Sequence, residues 1–123
     1  MGARGAERRS APRLHMPVPL LLGEDETEIS AVTKNLSASG AYCSLRRFLP
    51  PMTKVEVRLD ISNGAPREIC CRGVVVRVEP PRHIPRRTRY HVAIFFHDIA
   101  TRDRLALARF VEHHLQAQSG AAA

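Results

Sequence analysis

The stretch Lys54-Val-Glu-Val-Arg-Leu-Asp-Ile61, with the turn Ser62-Asn-Gly-Ala-Pro66 and the run Glu68-Ile-Cys-Cys-Arg-Gly-Val-Val-Val-Arg-Val78 behind it, decides the fold class of this chain. Val55, Val57, Leu59 and Ile61 alternate with Lys54, Glu56, Arg58 and Asp60. Successive side chains of a strand point to opposite faces, so this period of two predicts a half-buried strand. Asn-Gly tolerates the positive φ of a tight hairpin, and the chain returns as a long apolar strand.

Working outward, the same logic predicts four more strands. Leu14 to Leu22 is apolar at Leu14, Met16, Val18, Leu20 and Leu22, while Pro17 and Pro19 fall on the other parity and argue for an edge or a bulge. Glu24 to Glu26 is an acidic turn and Thr27 to Lys34 a strand. Asn35-Leu-Ser-Ala-Ser-Gly40 is a turn rich in Ser and Gly. Ala41 to Arg46 is a short strand, broken by Pro50-Pro51, and Tyr90 to His97 is the last strand after the basic loop Pro80 to Thr88. Only the end is helical: Leu105, Ala108, Val111 and Leu115 recur at three- and four-residue steps, with Thr101 as N-cap and Asp103 in the first turn. The expected fold is mainly β, a small six-stranded antiparallel β-barrel with a C-terminal α-helix. Residues 1–13 read as a flexible basic arm, 14–116 as the barrel with its helix, and 117–123 as a disordered tail.

At 123 residues the chain suits one domain, and 44% hydrophobic residues mark it as globular. The longest uncharged apolar run, Met16 to Leu22, is too short to span a bilayer, and the N-terminus has no apolar secretory core. A soluble cytoplasmic protein is the expectation, and Cys43, Cys70 and Cys71, without CxxC spacing, read as reduced buried thiols. Net charge is +7, and 17 of the 19 basic residues are arginine. Its planar fork grips phosphate and the guanine edge in paired bonds, which favours anionic partners. GC-rich codon usage also inflates arginine and alanine, so charge alone does not choose.

Two segments carry chemistry. In Arg8-Arg9-Ser10-Ala11-Pro12-Arg13, Pro12 disfavours a helix, so the arginines lie on an extended loop. In Asn35-x-Ser37-x-x-Gly40, two short polar side chains bond within a turn, and Gly40 permits a conformation or a close approach that a Cβ would block. Arg9-x-x-x-Arg13, a strand, then Asn35-x-Ser37-x-x-Gly40 resembles the bipartite signature of PilZ domains, RxxxR plus (D/N)xSxxG, and the likeness extends over about residues 7 to 115. That resemblance implies a six-stranded barrel and binding of the bacterial second messenger cyclic di-GMP. Carried over by position, Arg9 and Arg13 would hold guanine edges and phosphate, Asn35 and Ser37 would hydrogen-bond the other guanine or its phosphate, and Gly40 would allow close approach. An arginine at the position of Arg8 implies, within that family, a stacked, intercalated ligand dimer. No output domain is read in these residues, so the expectation is that the ordered arm signals in trans to a protein partner in flagellar, polysaccharide-synthesis or pilus machinery.

Other features are weaker. The loop Arg82 to Arg89 suits the ligand's outer phosphate, a partner or nucleic acid, or is simply solvated. His91 and His97 share a parity but lie about 20 Å apart along a strand, and His113 and His114 face different directions, so no metal site is expected. No nucleophile elbow, GxxxxGK or HExxH is present, so no enzyme and no cofactor are expected. With 5% aromatics and no Trp, a base-stacking surface for single strands is poorly supplied, and Phe95 and Phe96 read as core and near-core. Two alternatives to the sensor stay open: a basic nucleic-acid-binding β-barrel, and a PilZ-like protein-binding adaptor that does not bind nucleotide.

Overall fold

The computed structural model describes residues 12–62 and 64–122. Six strands run β1 (Pro19–Glu24), β2 (Thr27–Leu36), β3 (Gly40–Leu45), β4 (Lys54–Ser62), β5 (Pro66–Glu79) and β6 (Tyr90–Asp98), followed by helix α1 (Thr101–Ala122). All pairings are antiparallel and the sheet closes in the order β1-β2-β3-β6-β5-β4. Closure removes the exposed strand edges that an open sheet of this size would present.

The alternation in β4 is realised residue by residue: Val55, Val57, Leu59 and Ile61 point inward and Lys54, Glu56, Arg58 and Asp60 outward. Opposite them Ile69 faces Leu59 and Cys71 faces Val57, so the inner row continues across the hairpin. Leu20, Leu22, Ile29, Cys43, Leu45, Val75, Val92, Ile94 and Phe96 fill the rest of the barrel. Cys43 and Cys71 are buried, whereas Cys70 is exposed, which corrects the expectation of three buried thiols. Neighbours in a strand cannot share a face.

The first strand is shorter than its apolar pattern suggests. Regular pairing begins only at Pro19, and the segment before it is held at Leu14, which bridges Leu36 in both directions (2.8 and 3.0 Å). Prolines at 17 and 19 lack the N–H that a continuous ladder needs. Thr33 substitutes for it. Its buried hydroxyl donates to Met16 O and accepts from Val18 N, each at 2.8 Å, and Thr33 N donates to Val18 O at 3.1 Å.

The helix also departs from expectation. Of the expected stripe, Val111 is buried and Leu115 packs against the core, but Leu105 is 52% exposed. Ala106, Leu107 and Phe110 are buried in addition, so the inner face is rotated at its N-terminal end. The aromatic ring of Phe110 offers more area to bury than Ala108. Ala100, not Thr101, closes the first turn, its carbonyl accepting from Asp103 N and Arg104 N. Asp103 instead receives Arg67 from β5 at 2.8 Å. The helix runs to Ala122, through residues expected as a tail and past Ser119 and Gly120, which are weak helix formers. Among the described residues no helix is long and apolar enough to cross a membrane.

Candidate ligand-binding site

The site is organised by the Ser/Gly turn between β2 and β3. Ser37 N donates to Gly40 O at 2.9 Å, and the buried Ser37 hydroxyl accepts from Ser39 N at 3.2 Å while lying 3.1 Å from Ser39 Oγ. Ser39 O in turn accepts from Phe96 N at 2.9 Å, so the turn is sewn to β6. Gly40 is required here for a packing reason. A Cβ at this position would stand 2.3 Å from Ile94 O, so β3 and β6 approach more closely than any side chain permits.

Asn35 is aimed by a bulge. Register shifts between Thr33 and Asn35, and both Thr33 and Leu36 are buried although strict alternation would separate them. The extra residue turns Asn35 to the outer wall and brings Leu36 inward under the Leu14 bridge. Arg13 immediately precedes that bridge. Its backbone is therefore delivered beside the turn, and Arg13, Asn35, Ser37 and Gly40 all line one shallow depression of about 350 Å³ on the outside of the barrel. Arg8 and Arg9 lie outside the described residues.

The register defines the rest of the wall. Asn35 pairs with Tyr42, Tyr42 with Ala93 and Ala93 with Arg77, one outward row across four strands. The next row sets Gly40 beside Phe95 and Phe95 beside Val74. Gly40 and Ala93 are small and form a low floor, while Phe95, Arg77 and Tyr42 stand around it. Arg77 faces outward because a second bulge, at Val76, resets the parity of β5. Its guanidinium lies 5.6 Å from the centre of the Tyr42 ring, and its Nε is 3.9 Å from Glu79. Tyr42 donates to Glu79 Oε1 at 2.6 Å, which holds its phenol above the usual tyrosine range, with desolvation adding to the effect. His91 also stacks on Tyr42, with centroids 5.8 Å apart. Its imidazole is pushed below the usual histidine range, first by desolvation and then by the Lys34 charge.

Sequence reading missed Tyr42, Arg77, Ser39 and Phe95 as wall residues. Phe95 was legible, because alternation with an inward Phe96 forces it outward, and it is 49% exposed where a near-core residue was expected. Arg77 was not, since the bulge that turns it depends on β6. The basic loop contributes nothing to the depression. It is exposed throughout residues 81–89, pinned by Tyr90 Oη to the backbone of Ile84 and by Arg89 to Ser44 Oγ at 2.8 Å. Among the described residues no group of three or more His, Cys, Asp or Glu is gathered to hold a metal.

Residues 7–113 match the PilZ domain family. No curated protein matches the chain. Among solved structures it resembles the Bacillus subtilis inhibitor of motility (MotI/DgrA), at 20% identity and a TM-score of 0.72, over 89% of this chain and 51% of that one. The chain thus spans about half the length of the Bacillus protein. It also resembles the PilZ domain of YcgR from Escherichia coli, solved with c-di-GMP, at 14% identity and a TM-score of 0.63 over 93% of this chain and 97% of that one. A third likeness is to the PilZ domain of CeSA from a cellulose-synthesizing bacterium, at 18% identity and a TM-score of 0.51 over 82% of this chain and 95% of that one. At these identities the likeness speaks for the barrel.

Proposed function

The chain belongs to the PilZ domain family, and from that premise we propose that it is a cyclic di-GMP sensor that orders its basic N-terminal arm on binding and signals to a partner protein in trans. One observation carries the reading. Arg13 from the RxxxR segment and Asn35, Ser37 and Gly40 from the (D/N)xSxxG segment line a single depression, although β1, a turn and most of β2 separate them in sequence. Arg13 immediately precedes a fixed point, the Leu14–Leu36 bridge, which seats it at the edge of that depression. A ligand that touches the arm only when it is closed shifts the population toward the closed state by its differential affinity. Arginine forks take guanine O6 and N7 or phosphate, and Asn35 supplies a neutral amide for the second base.

The module is a binding adaptor rather than an enzyme, it works in the cytoplasm of a bacterium, and its ligand is cyclic di-GMP with no other cofactor. Arg8 makes the ligand an intercalated dimer. The likeness to an inhibitor of motility directs the search for a partner to flagellar components first, then to polysaccharide and pilus machinery. Calorimetric titration with cyclic di-GMP, alongside GTP and cyclic di-AMP, tests the reading. Selective binding that Arg13→Ala abolishes, with two ligands per chain, is the expected result. Absence of heat from a folded sample would sink it, and unselective binding that falls steeply with salt would favour nucleic acid instead.

A further inference from the structure

The depression has a second wall that neither motif contains. We infer that Phe95 of β6 and Arg77 of β5 complete the ligand site, Phe95 taking the face of a guanine base and Arg77 a phosphate or guanine edge. The inference rests on the cyclic di-GMP reading above and deepens it.

The outer wall of this barrel is mostly polar: β4 presents Lys54, Glu56, Arg58 and Asp60, and β5 presents Glu68, Cys70 and Arg72. Against that background Phe95 is 49% and Val76 54% exposed, and both line the depression that holds Arg13, Asn35 and Ser37. An exposed apolar pair beside convergent polar groups suits a flat ligand with one apolar face and polar edges. A purine is such a ligand. The floor between the walls is low because Gly40 has no side chain and Ala93 a single methyl, so among the described residues the space over the sheet between Phe95 and the Ser/Gly turn is open.

Arg77 stands one row further along the same face, three strands from Asn35. At about 4.8 Å per strand the two lie roughly 14 Å apart, so a ligand with two bases and two phosphates has groups for both walls. Arg77 is also preset. The Tyr42 ring lies beneath its guanidinium, and its ionic neighbour among the described residues is the exposed Glu79 carboxylate, which already accepts from Tyr42, at 3.9 Å. That contact is too long for a strong hydrogen bond, so a phosphate competes with it on favourable terms.

The test is calorimetric titration of the full chain with cyclic di-GMP in Phe95→Ala, Phe95→Leu, Arg77→Gln and Glu79→Gln variants, with Arg13→Ala as reference. Loss of base–aromatic stacking should weaken binding about 5- to 150-fold in Phe95→Ala, with Phe95→Leu in between. Arg77→Gln should weaken it about tenfold or more. Glu79→Gln keeps the acceptor for Tyr42 but removes the competing charge, and should tighten binding about two- to threefold. All four positions are on the surface, so melting temperatures should stay close to wild type and separate lost contacts from lost fold. If Phe95→Ala and Arg77→Gln titrate like wild type while Arg13→Ala does not bind, the sensor reading stands and this second wall is wrong. If the wild-type chain itself fails to bind, both fall together.

Discussion

Replacing Gly40 with alanine sets a methyl group where β3 and β6 leave no room. The new carbon would stand 2.3 Å from Ile94 O, 3.4 Å from Ile94 C and 3.5 Å from Phe95 Cα. Every one of these atoms is backbone, so no rotamer change relieves the contact and the strands must part. Overpacking of this kind costs typically 1–3 kcal/mol, and an unyielding backbone argues for the upper end, about 3 kcal/mol. Restricting the unfolded chain returns about 0.4–1 kcal/mol, leaving a net loss of about 2 kcal/mol. With an unfolding entropy near 2.1 cal/mol/K per residue, a chain of this length should melt about 8 °C lower. Gly23→Ala is the control. Its Cβ would meet Glu56 Cβ at 3.6 Å, an ordinary contact, so its melting temperature should hold or rise by about 2 °C. The assay is thermal melting of both ligand-free variants by circular dichroism, followed by titration with cyclic di-GMP. A Gly40→Ala chain that melts with the wild type yet no longer binds ligand would refute the reasoning, because the glycine would then be acting on the ligand and not on the sheet.

Three further outcomes are expected. Thr33→Val keeps the shape of the side chain but strands Val18 N and Met16 O, which should cost about 2 kcal/mol and also weaken ligand binding by loosening the segment behind Arg13. Unchanged melting would remove Thr33 as the fastener of that segment. A chromogenic disulfide reagent at mildly alkaline pH should label Cys70 quickly and the other two thiols only after denaturation. Cys43 and Cys71 are buried and desolvation pushes both thiols up to about 12, so rapid native labelling of Cys43 would contradict the packing. His91 should titrate below 6.5 when followed by NMR, because its folded form binds a proton less readily than its unfolded form. The sign follows from linkage: its contribution to stability is present above 6.5 and is lost as pH falls through the lower folded value, so a shift in the other direction would exclude the Lys34 and desolvation account.

Much of the barrel is readable from local pattern because a strand with one wet face writes its orientation into every second residue. The alternation from Val55 to Ile61 and the Ser62–Pro66 turn needed no tertiary information, and the observed β4–β5 hairpin follows them closely. The helix face was read only in part: Val111 and Leu115 pack on the barrel, but Leu105, Ala108, Val111 and Leu115 make as regular a stripe as Leu107, Phe110 and Val111, and Leu105 is left outside. The choice between them depends on which side meets the barrel.

By itself, then, the sequence determined the closed antiparallel class, the number of strands, and the two short motifs with Arg13, Asn35, Ser37 and Gly40 as their described members. Those features rest on period, turn chemistry and residue type, all properties of neighbours along the chain. What only the tertiary structure decided is where the side chains of the site point. The bulges at Lys34 and Val76 are invisible to periodicity, since an extra residue in one strand is defined by the register of its partner. They turn Asn35 and Arg77 outward onto one row, while β3 and β6 close over Gly40 and leave Phe95 standing beside it. Residues that are distant in sequence become one wall because hydrogen-bond register between strands, and not order along the chain, sets which side chains are neighbours.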